Sequence, residues 1–197
     1  MTAQLALAAE PSTTSAGPRG SSLWPAIASE QRPWTRWWWP GNAVDDTNLA
    51  RQLEQIGAAG FGGVEITPIY GVRGAEDREI EFLSPAYVKL LAHAATEAKR
   101  HGMQLDMATG TGWPFGGPWV ATEDGDARLP RDGGAIADAK PTGMKVKRAA
   151  PGGAGLVLNP FSPEAMGRYL RPFDNAFGNA KFPRELIRSQ FHDSFEY

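Results

Sequence analysis

The alternation of apolar and polar positions divides the chain into short β-like runs and amphipathic helical stretches that follow one another in turn. Trp34 to Pro40 is an aromatic run short enough for a strand, and Asp45-Asp46-Thr47 then supplies a helix start. Leu49, Leu53 and Ile56 share one helical face, and Gly60 closes that segment. A second β-rich run, Gly63 to Tyr70, stops at Gly71. After a charged loop, Ser84-Pro85 opens a second helix, with Ser as cap and Pro in the first helical position. This helix turns Val88, Leu91, Ala95 and Ala98 inward and ends in Lys99, Arg100 and His101 before Gly102, which suits the negative end of the helix dipole. Gln104 to Thr109 reads as a third strand and runs into the Gly-rich aromatic loop Gly110 to Trp119. From about residue 120 to 155 only Gly, Ala, Asp and Pro punctuation is seen, with one β-like piece at Met144 to Arg148, so this stretch reads as an insertion. Ser162-Pro163 repeats the cap-plus-proline start, and Met166, Tyr169, Leu170, Phe173 and Phe177 follow at helical spacing. Pro172 inside that pattern predicts a kink or an early break. Leu186 to Phe191 forms a fourth strand.

Strand and helix thus alternate three times with a fourth strand closing the series, which predicts an α/β fold with a parallel sheet and right-handed crossovers. Both an open sheet and a barrel satisfy the pattern. A complete (β/α)8 TIM barrel takes about 250 residues, whereas 197 residues here yield four strands and an insertion after the third. The chain therefore reads as the amino-terminal half of such a barrel over residues 32–197, behind a leader at 1–31. That leader is either disordered, given its Ser/Thr/Gly/Pro content, or the remnant of an export signal without a basic start. The first alternative implies a cytoplasmic chain and the second a periplasmic or secreted parent protein.

Charge narrows the partners only by exclusion. Twenty Lys and Arg against 22 Asp and Glu leave no basic face for nucleic acid. No apolar run approaches the roughly 20 residues that cross a bilayer. The absence of cysteine excludes disulfides, thiolate metal sites and a cysteine nucleophile, so any metal must sit on oxygen or imidazole.

In a parallel barrel the chemistry gathers where strands end. The first strand offers Trp37, Trp38, Trp39 and Asn42, the second Glu65 and Tyr70, the third Asp106 followed by Trp113 and Phe115, and the fourth His192, Asp193 and Glu196. Carboxylates beside aromatics suit a carbohydrate, whose apolar ring faces rest on Trp and whose hydrolysis needs two carboxyl groups. Each candidate also has a plainer structural role. The tryptophans either pack in the core or line a site, and Glu65 and Asp106 either make structural hydrogen bonds or meet substrate, since a carboxylate within an apolar strand needs partners. His93 and His101 read as helix-surface residues. Gly110 and Gly112 do not open a dinucleotide turn, because Phe115 occupies the third glycine position. The chain has no Gly-x-Ser-x-Gly elbow, phosphate-binding Lys loop or His-Glu-x-x-His.

Several runs carry a resemblance: Trp37-Trp38-Trp39-Pro40-Gly41-Asn42, Gly60-Phe61-Gly62-Gly63-Val64-Glu65-Ile66 with Pro68, Phe82-Leu83-Ser84-Pro85, Gly110 through Trp119, and the terminal Asp193-Ser194-Phe195-Glu196. Together they resemble the family 106 glycoside hydrolases, over about Arg32 to Trp119 and Leu156 to Tyr197. The resemblance implies an inverting, calcium-assisted hydrolysis of α-L-rhamnosides in plant-type glycans. On that pattern Glu196 is the general acid, and Asp193 either raises its pKa by negative charge or helps to hold calcium. Trp38 and Trp113 line the sugar subsite, with Glu65, Asp106 and His192 as further substrate-binding positions. The family's catalytic base lies on a later strand, so an isolated half barrel is expected to be inactive, poorly stable and short of a carboxy-terminal partner half. The competing expectations are a non-catalytic carbohydrate-binding module and an inert remnant.

Overall fold

The computed structural model describes residues 26–128 and 140–192. Among them a four-stranded parallel sheet is built from β1 (Trp34–Pro40), β2 (Gly63–Ile69), β3 (Gln104–Ala108) and, last in the chain, β8 (Ile187–Phe191). The strands lie in that same order across the sheet. Between them run α1 (Asp46–Ala58), α2 (Pro85–Arg100) and α3 (Pro163–Asn179). Four two-residue strands, β4 (Gly116–Gly117), β5 (Ala127–Arg128), β6 (Lys140–Pro141) and β7 (Leu156–Val157), form two small antiparallel ladders between β3 and α3. The chain just ahead of β1, counted with the leader on sequence grounds, forms a 3-10 turn at Ser29–Gln31, whose Ser29 carbonyl accepts the Trp34 indole N–H at 3.2 Å.

Local chemistry sets the helix starts. Asp45 accepts the Asn48 N–H at 2.8 Å, and the Ser84 and Ser162 hydroxyls accept the N–H groups of Tyr87 and Ala165 at 3.2 Å each. Pro85 and Pro163 occupy first-turn positions, where their missing N–H has no helical partner to lose. Pro172 does not end its helix: α3 continues from Pro163 to Asn179. A proline in a helix interior costs roughly 3 kcal/mol. Burial of an aromatic side chain returns roughly 1.5–3 kcal/mol, and Tyr169, Phe173 and Phe177 are all buried on this helix, so packing outweighs the lost hydrogen bond.

The sheet has two unlike faces. Trp37 and Trp39 of β1, Val64 and Ile66 of β2, and Leu105 and Met107 of β3 are buried, in one core with Leu49, Leu53, Val88, Leu91 and Ala95 of the helices. The alternate positions, Arg36 and Trp38 of β1, Glu65 and Thr67 of β2, and Asp106 of β3, point the other way. Period-2 alternation therefore splits the tryptophan run: Trp37 and Trp39 are core, while Trp38 is 41% exposed.

The segment after β3 is anchored to α3 through Asp124, which is buried and accepts two hydrogen bonds from one edge of the Arg168 guanidinium, Nε to Oδ2 at 2.8 Å and Nη2 to Oδ1. Arg168 holds this carboxyl below the usual carboxylate range, chiefly by hydrogen bonding. In the unfolded chain the group titrates near its ordinary value of about 3.9, so its stabilisation is complete above that pH and is lost as pH falls through the depressed folded value. Urea midpoints followed from about pH 5 down to about pH 3 should therefore fall more steeply for the wild-type chain than for Asp124→Asn. Parallel slopes would show that the pair contributes nothing to the acid limb.

Candidate functional site

The face turned away from the helices is layered. Nearest the amino ends of the strands, Trp34 lies across Gly63, where an added Cβ would stand 2.4 Å from the indole, and it carries the Arg188 guanidinium at 4.1 Å from its ring. The next layer is ionic. Arg36, Glu65, Asp106 and Ser189 are register partners across the four strands. Arg36 meets Glu65 at 3.1 Å, and Arg188, at the register shift beside Ser189, binds both oxygens of Asp106, one of them at 3.0 Å. Glu65 also accepts the Thr67 hydroxyl at 2.9 Å. The carboxylates that the sequence places within apolar strands thus have cationic partners, as desolvation requires. Glu65 and Asp106 lie mid-strand, one layer below the strand ends.

Above them, toward the carboxyl ends, come Trp38, Thr67, Ala108 and Phe191. Arg36 extends from the ionic layer to support two of these, with its guanidinium 5.2 Å from the Trp38 ring and 4.5 Å from Phe191. Thr67, Ala108 and Phe191 join Thr109, Gly110, Thr111, Gly112 and Phe115 around a small hollow at the mouth. Trp113 leans over from the aromatic loop, its ring 6.4 Å from Trp38 at an angle of 58°. The loop holds Trp113 by its backbone: its N–H donates to Lys147 at 2.9 Å, and its carbonyl accepts from Lys147 at 2.7 Å. The β-like piece expected at Met144 to Arg148 is therefore present as isolated bridges, Lys147 to Trp113 and Lys145 to Leu156, and not as a continuous strand.

The remaining candidates scatter. His192, half-buried just past the end of β8, packs against Phe115 with ring centroids 4.1 Å apart and the rings tilted by 41°. His93 is half-buried and donates to the Asp46 carbonyl at 3.0 Å, while His101 is exposed at the end of α2. Asp193 and Glu196 lie outside the described residues. Asn42 is fully buried, with φ +52°, and its amide donates to the Ile80 carbonyl at 3.0 Å, folding the loop after β2 over the end of β1. That fold delivers a carboxylate that pattern reading passes over. Glu79 is seated against Gly41 and Gly71, so closely that a Cβ on Gly71 would stand 1.6 Å from its Oε1. Arg36 and Arg188 were equally hidden as charges, although Arg36 sits two positions before Trp38, the spacing that places both on one face of a strand.

Among the described residues no group of three or more His, Asp or Glu side chains could hold a metal ion, and no helix is long and apolar enough to cross a membrane. Between α3 and β8 runs an apolar groove of about 410 Å³, lined by Met166, Leu170, Phe177, Phe182 and Ile187 and reaching His192 at one end. It lies beside the sheet edge, and the Trp38–Trp113 pair is not part of it.

Fold and site together define an α/β protein whose parallel strands end in an aromatic face above a neutralised charge layer. The chain belongs to the alpha-L-rhamnosidases of glycoside hydrolase family 106, whose pattern matches residues 26–131. It is similar to the rhamnosidase of Novosphingobium sp. PP1Y, with 26% identity and a TM-score of 0.44 over 52% of this chain and 10% of that one. It is also 29% identical, over 101 residues, to a protein of Formosa agariphila to which beta-glucuronidase activity is ascribed; the match covers 50% of this chain and 8% of that protein. The chain thus spans a tenth or less of the length of these relatives.

Proposed function

We propose that the parent protein hydrolyses α-L-rhamnosidic bonds in rhamnose-containing, plant-type glycans, and that this chain supplies the first four strands of its (β/α)8 barrel. The observation that carries this reading is the Trp38–Trp113 pair at the carboxyl ends of four parallel strands taken in chain order. Barrel active sites gather at that end, and barrel interiors are packed in layers of inward side chains, as in the stack from Trp34 to Phe191. The apolar groove beside β8 suits a further helix of the same alternation.

In the proposed mechanism the Glu196 carboxyl gives its proton to the glycosidic oxygen as the bond to the anomeric carbon breaks. Water attacks that carbon from the opposite face and loses its proton to a carboxylate base, which in an inverting pair stands roughly 6.5–9.5 Å from the acid. The base is assigned to a later strand, so the 197-residue chain alone is proposed not to turn over. Trp38 and Trp113 would hold the apolar side of the deoxysugar, and His192 would sit at the rim. Glu65 and Asp106 are bound by arginines one layer down, so their support of the substrate is proposed to pass through Thr67 and the platform above. Calcium, if it assists, would draw on Asp193. The described residues offer no ligand set for it, and no step is routed through it.

The test is nitrophenol release from a nitrophenyl α-L-rhamnoside, with and without calcium, by this chain and by a version continued through the downstream coding sequence. Turnover only by the longer protein, lost in Glu196→Gln, is the expected result. Turnover by the short chain would sink the assignment of the base to a later strand. Rhamnoside binding without turnover in either would move the protein to the carbohydrate-binding reading, and silence throughout to the inert one.

A further inference from the structure

Ile187 and Phe191 stand four positions apart on β8, a spacing that puts two side chains on the same face of a regular strand. Here they lie on opposite faces. Ile187 packs against the helix-side core, while Phe191 lines the hollow at the mouth with Thr67 and Ala108. The register shift accounts for the difference. Leu105 pairs with Ile187 but Asp106 pairs with Ser189, so Arg188 is an extra residue in β8 and the chain after it is turned over by one position. Such bulges are rare between parallel strands.

The unshifted pairing is close at hand. It would set Asp106 opposite Arg188 and Ala108 opposite Gln190, so the ion pair between Asp106 and Arg188 is compatible with both registers. It would also turn Phe191 toward the helices, where the apolar groove of about 410 Å³ already reaches it. Arg36 meets a different side chain in each case. Its guanidinium lies 4.5 Å from the Phe191 ring centre and 5.2 Å from that of Trp38, while its Nε meets Glu65 at 3.1 Å. A cation at the face of an aromatic ring attracts it, the more so where water is partly excluded. The shifted register presents Phe191 to this cation; the unshifted one presents Gln190.

Resting on the rhamnosidase reading, we propose that Arg36 is a positioning residue for the hydrolytic site: by bracing Trp38 and Phe191 together it holds β8 in the shifted register, and so fixes the face on which the chain leaves β8 toward Glu196.

The test reads the register directly in the 197-residue chain. The chain has no cysteine, so an introduced pair forms a single defined disulfide. Thr109→Cys with Gln190→Cys reports the shifted register, in which the two side chains touch at 2.7 Å. Ala108→Cys with Gln190→Cys reports the unshifted one, in which the two would be direct partners on one face. With Arg36 in place the first pair should oxidise about tenfold faster than the second. Arg36→Met with Glu65→Gln, which removes the cation without stranding a carboxylate, should erase or reverse that preference. Arg36→Lys, which keeps a cation beside both rings, should restore it, and Glu65→Gln alone should keep it. Should cooperative urea unfolding be lost in the Arg36→Met, Glu65→Gln chain, Arg36→Gln, which leaves Glu65 a donor but no charge, carries the same prediction. A preference unchanged without the cation would overturn the proposal. So would one lost equally in Glu65→Gln alone, since that would assign the register to the ion pair and not to the aromatic contact. In the protein continued through the downstream coding sequence, loss of the cation should lower kcat for the nitrophenyl rhamnoside about tenfold or more, with rescue by Arg36→Lys. An unshifted register with kcat unchanged would overturn the positioning role. The disulfides need no turnover, so the expected register result beside an inactive wild-type continued protein would sink the rhamnosidase reading while the register assignment stood.

Discussion

Gly112→Ala is expected to cost about 3 kcal/mol of stability and to abolish sugar binding at the Trp38–Trp113 pair. Gly112 has φ +57°, and an added Cβ would stand 2.0 Å from the Lys147 carbonyl, a backbone atom that cannot swing aside. The left-handed conformation alone costs an alanine roughly 1–2 kcal/mol. Relief of the contact must pull Lys147 away, and Lys147 exchanges both backbone hydrogen bonds with Trp113. The platform tryptophan and the segment bearing Arg148 would move together. Gly167, on α3 with nothing within 4 Å of an added Cβ, is the control: Gly167→Ala should stabilise by about 0.5–1 kcal/mol, because alanine loses less backbone entropy in a helix. Urea unfolding read by tryptophan fluorescence, with rhamnoside titration of each variant, distinguishes them. A Gly112→Ala chain with wild-type midpoint and binding would show that the loop does not depend on this contact.

Tyr169→Ala should be the most damaging single truncation in α3, at roughly 3–5 kcal/mol. Tyr169 is 1% exposed and touches Phe115, Trp119 and Phe173, with ring centroids 4.8, 6.0 and 5.6 Å away. Its hydroxyl lies 2.8 Å from the Gly116 carbonyl and 3.0 Å from the Thr109 carbonyl, so one O–H, shared between them, ties the entry and the middle of the aromatic loop to the helix. Burial pushes the hydroxyl's pKa up, which favours its protonated, donating form. Tyr169→Phe isolates that polar contribution. It should cost about 1–3 kcal/mol, because the buried Gly116 carbonyl and the part-buried Thr109 carbonyl lose their donor, with the ring packing unchanged. If the two variants unfold at the same urea concentration, the hydroxyl rather than the ring holds the loop, and the packing account is wrong.

The sheet and its helices were legible in the sequence because their signals are local. A serine followed by proline, a glycine past the last apolar position and a period of two or 3.6 depend on a few consecutive residues, and β1, α1, β2, α2 and β3 start and stop where those signals lie. Pro172 marks the limit of that logic. The rule that proline breaks a helix is also local, and it was overridden by aromatic burial supplied from elsewhere in the chain.

The sequence by itself determined the α/β alternation and the four strands, and its family resemblance pointed to Trp38 and Trp113 as subsite aromatics, while the tryptophan run itself stayed open between core and site. It also left two roles open for each strand carboxylate. Only the tertiary structure decided that Glu65 and Asp106 are neutralised by Arg36 and Arg188, that Glu79 reaches the strand ends through two glycines, and that Arg148 stands on Tyr70. The physical reason is separation along the chain: hydrophobic period and caps act over a few residues, whereas Asp106 and Arg188 are 82 residues apart. Charges so distant find one another only when register and the crossover helices have set the strands side by side.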